Sequence, residues 1–306
     1  QGMEYIENDA VDRGLPYLKQ AAELGLLEAQ AMYLSTLLEQ SNGKDYTKEI
    51  KKCVEWIRTA AIDGNPEGQA ILGEMYSEGA GVPENQETAV KWYRKAALQG
   101  NADAQYYLGE CYYLGKGVAE NDAEAVKWFQ KAAVQGDTYA QYYLGECYYL
   151  GRGVAENDAE AVKWFQKAAN QEHAETQLGH CYLNGNGVLK DERKAASLYQ
   201  EAANQGLARA QYWLGKCYQH GYGIEKDYRK SIEWYKKSMD NGYCNPDVYD
   251  GISSVLLFII WRRADNGIDF QKIACSKELA EGIRYAKYAI NHFDCENEED
   301  GTIYVT

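Results

Sequence analysis

The chain of 306 residues carries 32 basic against 46 acidic side chains, a net charge of −14. That balance argues against DNA, RNA or an anionic membrane surface as partner, because neutralising phosphates requires a basic patch. Its apolar fraction, 45%, is ordinary for a soluble protein, and the longest apolar run, Ile252 to Trp261, falls far short of the roughly 20 residues that span a bilayer.

The chain opens Gln1-Gly2-Met3, which reads as a trimmed start, and shows no charged-then-apolar leader. A cytoplasmic location is the expectation, with the periplasm as the alternative. Residues 15–25 (LPYLKQAAELG) have the pattern of a helix that closes a hairpin. Ala29 to Ile62 form a unit of similar length with SNGKDY at its turn.

From residue 66 the chain repeats itself. The segment Ala102 to Gln135 returns 36 residues later almost letter for letter, and a Leu-Gly pair recurs at residues 72, 108, 144, 178 and 214. A period in that range marks a repeat architecture whose single unit cannot bury its apolar face alone. An Ala or Gly stands four residues before each Leu and a Tyr four after it, the spacing of one helical face. This first helix ends at a repeated G-x-G (Gly79/Gly81, Gly115/Gly117, Gly151/Gly153, Gly185/Gly187, Gly221/Gly223), where left-handed backbone angles let the chain leave a helix. A Val or Ile follows, then Asn85, Asn121, Asn157, Asp191 or Asp227 as the N-cap of a second helix. That helix carries a wide apolar stripe, for example Ala125, Val126, Trp128, Phe129, Ala132 and Ala133. The unit is a hairpin of two antiparallel helices.

The pattern A-x-x-x-L-G-x-x-Y-x-x-G-x-G-V-x-x-[ND], followed by A-x-x-[WY]-[FY]-x-K-A-A-x-x-G, resembles the Sel1-like repeat, a relative of the tetratricopeptide repeat, over residues 66 to 242. The resemblance implies an all-α fold, a right-handed α-solenoid of antiparallel helix pairs. The expected organisation is an N-terminal cap and divergent repeat over 3–65, five repeats over 66–242, a divergent C-terminal repeat or cap over 243–294, and an acidic tail over 295–306. One unit is two residues short near Gln171, which predicts a local change of superhelical angle. The apolar segment Leu256 to Trp261 is expected to cap the stack, dimerise it or hold a partner.

Eight cysteines raise the possibility of disulfides, but Cys111, Cys147, Cys181 and Cys217 occupy one repeat position. Equivalent positions on stacked helices lie about 8–10 Å apart, beyond the ~7 Å Cα limit for a bridge, so buried free thiols are expected. The four histidines are scattered without metal-ligand spacing, and no G-x-S-x-G elbow is present. Gly109 to Lys116 (GECYYLGK) is a defective match to a phosphate loop: it has one residue too many, no following Ser or Thr, and a helical position. Glu74, Glu110 and Glu146 share one repeat position and are expected on an exposed helical face with nothing to desolvate them, which argues against acid–base catalysis. No cofactor and no enzymatic activity are expected.

At about 100° per residue, Tyr106, Glu110 and Tyr113 point away from the face that holds Leu108, Cys111 and Tyr112, with Tyr107 on the flank. The resemblance places first helices on the concave side of the superhelix, where ligands bind. The candidate partner-binding residues are therefore Tyr106, Tyr107, Glu110, Tyr113, Tyr142, Tyr143, Glu146, Tyr149, His180, Tyr212, Trp213 and Lys216. Tyr with acidic residues suits binding of a basic or Arg-rich peptide, helix or domain, since rigid amphipathic rings gain contact area at low entropy cost. Some of these rings, alternatively, pack against neighbouring first helices. The function expected is a protein-interaction adaptor or scaffold. The alternatives are an immunity protein that neutralises a bacterial toxin, as some relatives do, and more remotely a hydrolase acting on cell-wall or β-lactam substrates.

Overall fold

The computed structural model describes residues 11–40, 46–168, 172–243, 245–265 and 277–292. The chain divides into two compact units, Gln1–Asn157 and Asp158–Thr306. In the first, the helices are α1 (Val11–Glu23), α2 (Leu27–Glu39), α3 (Thr47–Ile62), α4 (Pro66–Glu78), α5 (Gln86–Leu98), α6 (Ala102–Leu114), α7 (Asp122–Val134) and α8 (Thr138–Leu150). In the second they are α9 (Asp158–Lys167), α10 (Glu172–Asn184), α11 (Glu192–Asn204), α12 (Ala208–His220), α13 (Tyr228–Asp240), α14 (Pro246–Asp265) and α15 (Lys277–His292). Described residues form no strand, and within each unit every helix packs on the next in the chain, the arrangement of an α-solenoid of helix hairpins.

Each helix is short because its ends are written into the repeat. Asn65, Asn101 and Asp137 cap the first helices, their side-chain oxygens accepting from the N–H three residues on, at 2.9, 2.8 and 2.6 Å. Asn85, Asn121 and Asp191 do the same for second helices. At the other end Gly79, Gly115, Gly151 and Gly221 take left-handed angles. The amide of the N-cap then bonds back to the first helix, Asn85 to Tyr76 and Asn121 to Tyr112 at 2.8 Å, and so locks the hairpin.

The Leu-Gly pair is explained by the neighbouring helix. A Cβ on Gly73 or Gly109 would lie 2.6 Å from the ring of Tyr93 or Phe129, and Gly179 and Gly215 face Tyr199 and Tyr235 in the same way. The absent side chain is the slot into which the second helix inserts its aromatic, and those rings are among the largest fully buried side chains. The second glycine of the turn serves the contact between hairpins. A Cβ on Gly117 would meet the carbonyl oxygen of Gln86 at 2.3 Å, and Gly153 stands equally close to that of Asp122.

A buried glutamine ladder closes the stack. Gln30, Gln69, Gln105, Gln141 and Gln211 each donate from the side-chain amide to the carbonyl eight residues earlier, at the end of the preceding second helix, over 3.0 to 3.2 Å. These carbonyls stand in the last turn of a helix, where the regular intrahelical partner is missing, and each also accepts from the glycine amide three residues on, at 3.1 to 3.3 Å. Two buried serines on α13, at positions that hold Ala in the repeats of α5, α7, α9 and α11, are likewise satisfied: Ser231 donates to the Gly215 carbonyl and Ser238 to that of Ala208.

Cys111, Cys147, Cys181 and Cys217 are buried free thiols, as expected from their spacing, and Cys53 on α3 is a further one. Burial pushes the Cys111 thiol up to about 11 and the Cys147, Cys181 and Cys217 thiols up to about 12. The apolar segment of the C-terminal hairpin lies on α14, with Ile252, Val255 and Leu256 buried and Leu257, Phe258 and Trp261 exposed. The trimmed start, the two-residue deletion near Gln171 and the acidic tail fall outside the described residues.

Candidate protein-binding face

The candidate tyrosines of the first helices occupy three repeat positions with different jobs. Tyr107 and Tyr143 stack on the aromatic of the preceding second helix: Tyr93–Tyr107 at 5.1 Å and 21°, Phe129–Tyr143 at 5.2 Å and 12°. Trp213 does the same over Tyr199 in the second unit, at 5.9 Å and 18°. These flanking rings are therefore packing elements as well as surface, the alternative that the sequence left open for some of them.

Tyr113, His180 and Tyr212 correct the sequence expectation, because all three are buried rather than outward-facing. Tyr113 is wedged edge-on against Phe129 and Tyr143 and covered by the Arg152 guanidinium, 3.8 Å above its ring. Tyr212 packs on Tyr235 and Tyr243, and His180 stands 4.4 Å from the Trp213 ring. The reason is common to all: a helical wheel treats one helix alone, whereas here each first helix has neighbours on several sides.

Tyr106, Tyr107, Glu110, Tyr142, Tyr143, Glu146 and Tyr149 in the first unit stay partly exposed, as do Trp213 and Lys216 in the second. In the first unit the carboxylates are held by phenols. Tyr107 donates to Glu74 and Tyr106 to Glu110, both at 3.3 Å. Glu146 accepts from Tyr142 at 3.3 Å and from Tyr113 at 3.4 Å. Phenol–carboxylate bonds at full strength run about 2.5–2.7 Å, so these are loose. Among the described residues no Lys or Arg forms an ion pair with Glu74 or Glu110.

Glu74 corrects a second expectation. Its carboxyl is desolvated, and burial together with neighbouring Glu78 pushes its pKa above the ordinary carboxylate range. Burial, reinforced by Glu110 and Glu74 respectively, raises the phenols of Tyr106 and Tyr107, which keeps them protonated and able to donate.

Tyr139 is a member that the repeat pattern did not reveal. It lies 5.6 Å from Tyr106, ring to ring, and is 53% exposed. It stands in the first turn of α8 where the preceding copy has Asp103, so no comparison between copies could single it out.

The same repeat position changes character along the chain: Glu74, Glu110, Glu146, then His180 and Lys216. In the second unit Lys216 extends over its own aromatic pair, 5.2 Å from the Tyr212 ring and 4.7 Å from Trp213. Burial, with Arg209 and Lys216 nearby, lowers the His180 pKa to about 3, so the ring is neutral. Its Nδ1 lies 3.1 Å from the Gln177 side-chain oxygen. Among the described residues no cluster of His, Cys, Asp and Glu has the makings of a metal site, and no helix is long and apolar enough to cross a membrane.

Hairpins stacked through glycine slots and a glutamine ladder, with an aromatic–carboxylate strip on the first helices, define a helical-repeat protein built as an α-solenoid. The chain belongs to the Sel1 repeat family: the Sel1 repeat model matches residues 29–65, 66–101, 102–137, 138–173, 172–207 and 208–243. Proteins of this family are generally protein-interaction scaffolds. The structure of c5321, a protective antigen of uropathogenic Escherichia coli with an SLR fold, is 32% identical with a TM-score of 0.72; the match covers 92% of this chain and 57% of that one, little over half its length. A Sel1 repeat protein from Oxalobacter formigenes is 30% identical with a TM-score of 0.66, over 85% of this chain and 96% of that one. Immunity protein Pa5087 from Pseudomonas aeruginosa is 20% identical with a TM-score of 0.44 over 71% and 83%, too distant a likeness to carry function. Comparison with curated protein sequences finds no match.

Proposed function

We propose that this chain is a non-enzymatic scaffold that binds a protein partner through the tyrosine–carboxylate strip of the first unit, and that the partner presents a basic segment. The observation that carries the reading is the pairing of Glu74 and Glu110 with phenols in place of cations. Carboxylates held this loosely can exchange a 3.3 Å phenol bond for a charge-assisted bond to an incoming cation. The surrounding rings supply rigid, partly exposed contact area, and the net charge of −14 steers a basic partner inward.

The test is a quantitative affinity capture from the native cell with three baits. Wild type and a charge-reversed control, Glu87→Lys with Glu156→Lys, should retain the same partner. Glu110→Lys with Glu146→Lys should lose it at least tenfold, and undiminished recovery by that pair removes the site.

A further inference from the structure

Resting on the reading above, the inference concerns what the partner must offer. We propose that the Tyr106–Glu110 position is a receptor for arginine in preference to lysine, and that its counterpart in the second unit is closed because Lys216 already fills it.

Two arrangements inside the protein carry this. The first is Arg152. Its guanidinium lies 3.8 Å above the Tyr113 ring while bonding both carboxylate oxygens of Asp122, at 2.7 and 3.2 Å, and one of Glu120 at 3.0 Å. The protein thus already builds a site from a tyrosine face and carboxylates, and fills it with arginine. A planar guanidinium can stack and bond in fork geometry at once, whereas an ammonium is a compact, strongly hydrated point charge.

The second is the comparison between equivalent positions. Tyr106, Tyr107 and Glu110 correspond to Tyr212, Trp213 and Lys216, three steps of the repeat further along the chain. The aromatic pairs have similar geometry, ring centroids 5.1 Å apart in the first and 5.5 Å in the second. In the second, the third member is a cation resting on the rings. In the first, it is a carboxylate held by Tyr106 at 3.3 Å, with the exposed Tyr139 ring beside it. One triplet carries its own cation; the other offers the faces and the countercharge for a cation from outside.

The experiment measures binding of fluorescein-labelled hexa-arginine and hexa-lysine to the full chain by anisotropy at physiological salt. Equal charge makes the non-specific attraction common to both peptides. Hexa-arginine is expected to bind about fivefold or more tightly than hexa-lysine, in line with stacked and bidentate contacts. Glu110→Gln, which keeps size and hydrogen bonding, should weaken hexa-arginine about tenfold and abolish the preference. Tyr106→Leu should reduce the preference with the charge intact. Lys216→Glu, which replaces the cation of the second triplet with the carboxylate of the first, should strengthen hexa-arginine binding. Far-UV circular dichroism and an unchanged melting temperature show that each variant is folded, and Glu110→Gln and Tyr106→Leu serve as substitutes for one another should either fail. Equal affinities for the two peptides, or a preference that survives both variants, overturns arginine selectivity and leaves a basic partner standing. Failure of both peptides to bind wild type overturns both readings.

Discussion

The second glycine of the turn is the sharpest place to test how the hairpins join. Gly117 has φ +67, and a Cβ there would sit 2.3 Å from the Gln86 carbonyl oxygen and 2.8 Å from the Glu87 nitrogen. Gly136, which follows α7, has φ +100 with nothing within 4 Å of the added Cβ. Gly136→Ala therefore carries only the left-handed backbone penalty, about 1–2 kcal/mol. Gly117→Ala carries the same penalty and forces the turn about 1 Å off the first residue of α5, an overpacking that costs about 1–3 kcal/mol more. The two variants should separate in urea unfolding followed by circular dichroism, Gly117→Ala showing the lower midpoint and a total loss of about 2–5 kcal/mol. Nearest-neighbour coupling in a repeat array predicts that the extra loss concentrates in α5 and α7, which hydrogen exchange resolves. Equal losses from the two alanines would refute the claim that backbone contact between hairpins, rather than turn geometry, requires this glycine.

Gln105→Leu removes two hydrogen bonds, the one its amide donates to the Ala97 carbonyl at 3.1 Å and the one it accepts from the Gln135 amide at 2.7 Å, while the Gly100 amide still bonds that carbonyl. The loss should be about 1–3 kcal/mol, read by the same chemical unfolding assay. The His180 pKa lies at about 3 in the folded chain against an ordinary 6.5, so the unfolded state binds the proton more readily between those values. Stability is therefore unaffected above pH 6.5 and falls as pH drops through the window, by about 3 kcal/mol at pH 4.5; His180→Gln should show a shallower decline, seen as the difference between the two unfolding series. The raised, buried thiols of Cys111, Cys147, Cys181 and Cys217 should resist iodoacetamide at pH 8 in the folded chain and react fully in guanidinium, as peptide mapping by mass spectrometry would show.

The hairpin was legible residue by residue. Helix ends are local events, so Asn85 or Asn121 before an apolar stripe and Gly115 after one can be read from the letters alone. Near-identity of copies made the period visible and separated the invariant Leu-Gly-Tyr face from the variable one. The buried cysteines followed from geometry as simple as one position per repeat.

What the letters could not decide was what lies across from each residue. Gln69, Gln105 and Gln141 look like surface glutamines on a helical wheel, yet they bind carbonyls of another helix. Gly109 shows as a weak spot in a helix until the ring of Phe129 is seen filling it, and Gly117 as a mere turn residue until Gln86 is seen against it. Tyr113 and Tyr212 point away from the apolar face of their own helices and are buried all the same, because the next helix covers them. Tyr139 enters the strip only through its distance to Tyr106. A sequence determines where each helix starts, stops and turns its apolar side, since those depend on bonds a few residues long. Which outward residues remain outward depends on contacts between helices tens of residues apart, and only the packed structure settles that.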